Sequence, residues 1–179
     1  MVYKDFAQLI EAAKKKPRKV RIAVAAAGDP HTIEAVLKAR EEGIASPVLV
    51  GDTHVIHSAL VEDKETIPED DIYDVPDPAD AARKAVSLVR EGAADFLMKG
   101  KLDTSVFLKA VVNKENGLGK GGLMSHFTIF EVPGYHKLLA PVDGGMVTYP
   151  TLDQKKSIIE NTVGVLHDIG YDCPKVGVV

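Results

Sequence analysis

The sequence predicts an α/β fold: a parallel-type sheet flanked by helices, with a β-hairpin added to it. Three observations carry that expectation. Short unbroken apolar runs such as RIAVAAA (21–27) lack the alternation of a half-exposed strand, as strands covered on both faces do. Amphipathic segments ending in glycine alternate with those runs, the order of strand–helix–strand units. Pro133-Gly134 separates two stretches rich in β-branched and aromatic residues, which is how a hairpin reads.

The elements follow in order. Phe6, Leu9, Ile10 and Ala13 recur at helical spacing, so an amphipathic helix is expected over 3–16, with Lys14, Lys15 and Lys16 in its last turn and Pro17 as its stop. The strand 21–27 comes next. Asp29 is the N-cap and Pro30 the first residue of a helix over 30–42 that ends at Gly43. SPVLVGD (46–52) is the second strand, and the connection between the two implies a right-handed crossover. A short helix carries His54 and His57; no third ligand has recognisable spacing, so no metal is expected there. After an acidic loop (62–71), a strand over 72–75 and a helix capped by Asp77-Pro78 and running to Arg90 complete a second unit.

The stretch the rest answers to is Ala94–Ser105 (ADFLMKGKLDTS). It reads as a short buried strand, the turn Lys99-Gly100-Lys101, and Asp103, Thr104 and Ser105 opening a helix. Such a turn gathers backbone N–H groups at one spot, and two lysines flank its glycine, so it is built to meet an anion. The helix dissolves at Asn113 into a glycine-rich loop, ENGLGKGG (115–122), which lacks the Walker spacing. The hairpin arms are SHFTIFEV (125–132) and HKLLAPV (136–142). A second polar turn, PVDGGMVTYP (141–150), has the same grammar as the lysine turn and is expected beside it. Thr151-Leu152-Asp153-Gln154 forms a capping box for a helix to Ile169, and a further strand is expected to begin at Pro174.

Composition narrows the function classes. The chain has 179 residues, 45% hydrophobic and 27% charged, as in ordinary soluble domains. A formal charge of −4 argues against a nucleic-acid binder. No apolar run approaches the ~20 residues of a membrane span. The N-terminal segment carries Asp5 and Glu11 and is no signal or transit peptide, and the single cysteine, Cys173, suits a reducing compartment; a cytoplasmic protein is expected.

Three segments together carry a resemblance: AAAGDPHTIEAVLKAREEGIASPVLVGD, ADFLMKGKLDTSVFLKAV, and SHFTIFEVPGYHKLLAPVDGGMVTYPTLDQKKSIIENTV. They resemble the phosphate acetyl/butyryltransferase family, the butyryltransferase branch most. The resemblance implies transfer of an acyl group between coenzyme A and inorganic phosphate, with both as substrates and no permanently bound cofactor. It also implies a fold like that of isocitrate and isopropylmalate dehydrogenases, with the active site in a cleft between two α/β domains. On this reading 1–150 is the N-terminal domain and 151–179 is the first helix and strand of a second one. The chain is then expected to be an N-terminal fragment, because the family's Ser-Arg…Asp catalytic signature lies beyond Val179. Carried onto this sequence, the family's cleft-lining segments imply substrate contacts at Lys99, Gly100, Lys101, Thr104, Ser125, His126, Asp143 and Gly144. Ser125 and His126 are neighbours in an extended segment and face opposite sides, so they cannot pair with each other.

Two other classes compete. One is a remnant that binds coenzyme A or phosphate without turnover. The other is a dehydrogenase of the same fold acting on a hydroxy acid with NAD and a divalent metal, which needs clustered aspartates and an arginine set that the sequence does not show. Exposed second-domain elements are expected to pair with another copy of the chain, giving a homo-oligomer.

Overall fold

A computed structural model describes residues 3–178. Its elements are α1 (Phe6–Lys14), β1 (Val20–Ala25), α2 (Pro30–Glu41), β2 (Ala45–Gly51), α3 (Thr53–Glu62), β3 (Ile72–Asp74), α4 (Pro78–Arg90), β4 (Phe96–Lys99), α5 (Thr104–Val111) and α6 (Leu152–Asp168). Local chemistry sets most helix starts. The Asp29, Asp52 and Asp77 side chains accept backbone N–H bonds at the first turns of α2, α3 and α4. Thr151 and Gln154 make the expected capping box on α6.

Contacts divide the chain into two compact units, Ala13–Gly119 in one, and the residues up to Ala12 with those from Lys120 onward in the other. The first unit holds one sheet of four parallel strands in the order β3-β2-β1-β4. β1 lies between β2 (Val24 beside Leu49) and β4 (Val24 beside Met98). Strand alternation splits the core between the two faces. Val24 and Leu49 pack with Ile33 and Val36 of α2 and Ile56 of α3. Ala23, Ala25, Val48 and Val50 pack with Ala81, Ala82, Ala85 and Leu88 of α4, with Phe107 of α5 against them. Helices on both faces explain the unbroken apolar runs.

Three expectations need correction. β4 is not a buried strand: it is an edge of the sheet, and Phe96 is 43% exposed. An apolar run alone does not say whether a strand has one neighbour or two. The hairpin, in the second unit, is reduced to two isolated antiparallel bridges, Phe127 with Val142 and Phe130 with Leu139. Its turn is as expected: Tyr135 N–H donates to Val132 C=O at 3.0 Å, and Gly134 has φ +82°, as a type II turn requires. Residues 174–178 form no strand; among the described residues no ladder partner lies beside them, and Val176 and Val178 are 51% and 65% exposed. Val179 lies outside the described residues. α6 buries only Ile158 and Thr162.

Candidate functional site

In the first unit the chain leaves β1 for β2 on one side and later returns to β4 on the other. The strand order therefore reverses at β1, and in open α/β sheets ligands bind beyond the carboxyl ends of the strands at that point. The turns there follow β1 (26–29) and β4 (100–103). They are knitted together: Gly100 N–H donates to Ala25 C=O at 2.8 Å, and Lys101 N–H to Ala26 C=O at 3.1 Å. A Cβ at Gly100 would lie 2.4 Å from the Ala26 carbonyl oxygen, so the close approach requires glycine. Ala26 itself has φ +56°, a left-handed conformation that is uncommon outside glycine.

The lysines of this turn divide their roles. Lys99 is exposed, but its Nζ donates to Leu102 C=O at 2.8 Å, with Gly100 C=O at 3.4 Å, so its ammonium ties the turn together. Lys101 is exposed. Thr104 is the first residue of α5, whose N-cap Asp103 makes no side-chain bond to the helix, in contrast to Asp29, Asp52 and Asp77. The α2 end differs: burial pushes the Asp29 carboxyl up, but the Thr32 hydroxyl and N–H bonds outweigh it, and the group sits below the usual carboxylate range. A carboxylate thus already occupies that helix start.

The other four expected residues belong to the second unit. Asn161 Nδ2 donates to Ser125 Oγ at 3.1 Å and to Leu123 C=O at 2.9 Å. His126 is exposed, its ring 3.3 Å from Thr128 Oγ1, and its C=O accepts the Asp143 N–H at 2.9 Å. Ser125-His126 and the Asp143 turn are therefore neighbours. Asp143 has φ +49°, and its Oδ1 accepts Met146 N–H at 2.9 Å and Val147 N–H at 3.3 Å. Its Oδ2 is buried without a hydrogen-bond partner. Gly144 is open to space on the side a Cβ would take. Among the described residues no group of three or more His, Cys, Asp or Glu is placed to hold a metal. No helix is long and apolar enough to cross a membrane.

Sequence reasoning marks Ala25 to Gly28 as small residues that let a ligand approach, but it missed the left-handed backbone of Ala26 and the part of Asn161. Alanine carries no signal for a left-handed backbone, and Asn161 meets Ser125 only once α6 has docked.

Residues 76–179 match the family model described as Phosphate acetyl/butaryl transferase. The chain is 42% identical over 173 residues to a phosphate butyryltransferase of Clostridium beijerinckii, covering 97% of this chain and 57% of that protein. It is 41% identical over 175 residues to a phosphate acetyltransferase of Thermotoga maritima, covering 96% and 58%. A crystal structure of a branched-chain phosphotransacylase from Enterococcus faecalis superposes with a TM-score of 0.69 at 27% identity, over 87% of this chain and 54% of that one. A phosphotransacetylase from Streptococcus pyogenes shares the fold, with a TM-score of 0.76 at 14% identity over 94% and 60%. The chain thus spans little more than half the length of these relatives.

Proposed function

The chain belongs to the phosphate acetyl/butaryl transferase family, and from that premise we propose that it serves transfer of a butyryl or acetyl group between coenzyme A and inorganic phosphate. The observation that carries this reading is the family match itself, because its span includes all eight expected substrate-contacting residues. In the reaction a phosphate oxygen attacks the thioester carbonyl, the C–S bond breaks, and the thiolate leaves as coenzyme A. Such a step needs a cationic seat for phosphate and donors for the developing oxyanion. Lys101 and the N–H groups opening α5 suit the first need. Lys99 acts through the turn it closes. The Ser125-His126 and Asp143-Gly144 segments are proposed to meet the acyl or pantetheine end, in a cleft between domains as in isocitrate dehydrogenase-like folds. The dehydrogenase alternative has no supporting observation.

The test is release of free thiol from butyryl-CoA with and without phosphate, alongside the thermal midpoint with coenzyme A or phosphate alone. Phosphate-dependent thiol release that is lost in Lys101→Ala supports the acyl-transfer reading, and would mean that turnover does not need the signature expected beyond Val179. Stabilisation by coenzyme A without turnover supports the binding-only reading. A chain that shows neither turnover nor stabilisation overturns both. We further propose that α6 and residues 174–178 pair with a second copy, since Leu152 is 83% exposed and α6 is largely uncovered. A monodisperse monomer in sedimentation at micromolar concentration rejects this assembly.

A further inference from the structure

The face of the sheet covered by α4 and α5 carries a groove that none of the eight residues above lines. Its volume is about 580 Å³, within the ~300–1,000 Å³ of small-molecule sites. The floor is apolar: Ala79 and Val86 come from α4, Val106 and Ala110 from α5. The rim is cationic. Arg83 and Arg90 stand two turns apart on α4, Lys109 faces them from α5, and Glu91 is the single lining acid among the described residues.

The loop after α5 closes one end. Asn113 Oδ1 accepts the N–H groups of Glu115 at 3.0 Å and Asn116 at 2.8 Å, and Asn116 Oδ1 accepts the Arg90 guanidinium at 3.1 Å. Gly117 N–H donates to Asn113 C=O at 2.9 Å, and Leu118 N–H to Val111 C=O at 2.8 Å. A Cβ on Gly117 would lie 2.4 Å from the Asn113 and Val111 carbonyl oxygens, so only glycine folds the loop this tightly. The glycine-rich stretch thus begins by building a wall of the groove. Both asparagines spend their oxygens on this wall and keep their NH2 donors. Among the described residues Arg83 pairs with Asp80 three positions back on α4, an exposed contact of little weight.

We propose that this groove is a separate binding site for a small organic phosphate monoester whose flat or apolar body lies on the floor. Three lining cations stand against one lining carboxylate, with Asp80 paired to Arg83 from outside the lining, so the rim is net positive, as the anionic group of a phosphate monoester requires. Two guanidinium groups add the forked donors that phosphate oxygens accept. Inorganic phosphate leaves the floor uncovered, and a neutral molecule leaves the donors unanswered. The site uses no residue of the acyl-transfer reading and does not depend on it.

The experiment is an amide chemical-shift titration of the ¹⁵N-labelled 179-residue chain with AMP, with adenosine and inorganic phosphate as controls. AMP is expected to move signals of residues 83–91 and 106–117 in one saturable process, at least tenfold more tightly than either control. In the double variant Arg83→Glu, Lys109→Glu the AMP affinity is expected to fall at least tenfold, with the signals of the strands in place; Lys109→Gln alone gives a smaller loss in the same direction. Three results overturn the proposal: AMP shifts confined to residues 98–104, equal binding of adenosine, or an AMP affinity that neither variant changes.

Discussion

Gly100→Ala tests the close approach of the two strand-end turns with a single methyl group. The added Cβ would sit 2.4 and 2.7 Å from the carbonyl oxygens of Ala26 and Ala25, and 2.9 Å from the Ala26 carbonyl carbon. All three atoms are backbone of the central strand or its turn, so no side chain can swing aside. Ordinary contact begins near 3.4 Å, and relief requires a shift of roughly 1 Å in a close-packed interior. A shift of that size disrupts the Gly100–Ala25 and Lys101–Ala26 hydrogen bonds. Overpacking costs about 1–3 kcal/mol and each of the two weakened bonds about 0.5 kcal/mol, so a loss of about 2–4 kcal/mol is expected from a total of about 5–15 kcal/mol. In urea, with a slope of about 2 kcal/mol/M, the midpoint falls by about 1–2 M. Gly144→Ala is the control: nothing lies within 4 Å of its Cβ position, and its midpoint should stay within about 0.5 kcal/mol of the parent. Equal midpoints for the two variants would refute the steric argument.

Other substitutions probe other layers. Ile33 is fully buried between α2 and the sheet, and Ile33→Ala should cost about 2–5 kcal/mol in the same denaturation. Thr151→Ala removes one half of the α6 capping box and should cost about 0.5–2 kcal/mol, read from thermal melts of helical circular dichroism. Asp95 is held below the usual carboxylate range by the Arg21 backbone N–H first and by the Arg18 guanidinium next. Its stabilisation is therefore present above the ordinary value near 4 and is lost as pH falls through its lowered folded value. Asp95→Asn should melt below the parent at pH 7, and the gap should close under acid; a gap independent of pH counts against the ion-pair account.

What the sequence revealed was the chemistry that stays local. The aspartate caps at 29 and 77 and the Thr151–Gln154 box needed only three or four neighbouring residues, and all are present. The glycine of the lysine turn was also visible, because strand, turn and helix start adjoin in the chain. Relations between distant segments were not. The exposure of Phe96 depends on where β4 enters the sheet order, which no window of residues encodes. A run such as 174–178 has the composition of a strand, but a strand exists only with a partner. The groove between α4 and α5 needs the packing of two helices on one face, so no local stretch of sequence brings its arginines and lysine together.

The central place of β1 has a consequence for the order of assembly. Its pairing with β2 closes a short loop, whereas the segment bound to β4 begins far away: Arg21 and Asp95 are 74 positions apart. Loop-closure entropy and contact order make such a long-range pairing late. Edge position also leaves β4, like β3 at the opposite edge, quicker to open than β1, so amide exchange should release residues 96–99 before residues 22–25. A nascent or partly opened molecule can then hold β1, β2 and their helices while lacking the turn at Gly100. Anything that recognises the turn selects finished molecules, and by binding them it draws the last step of folding to completion.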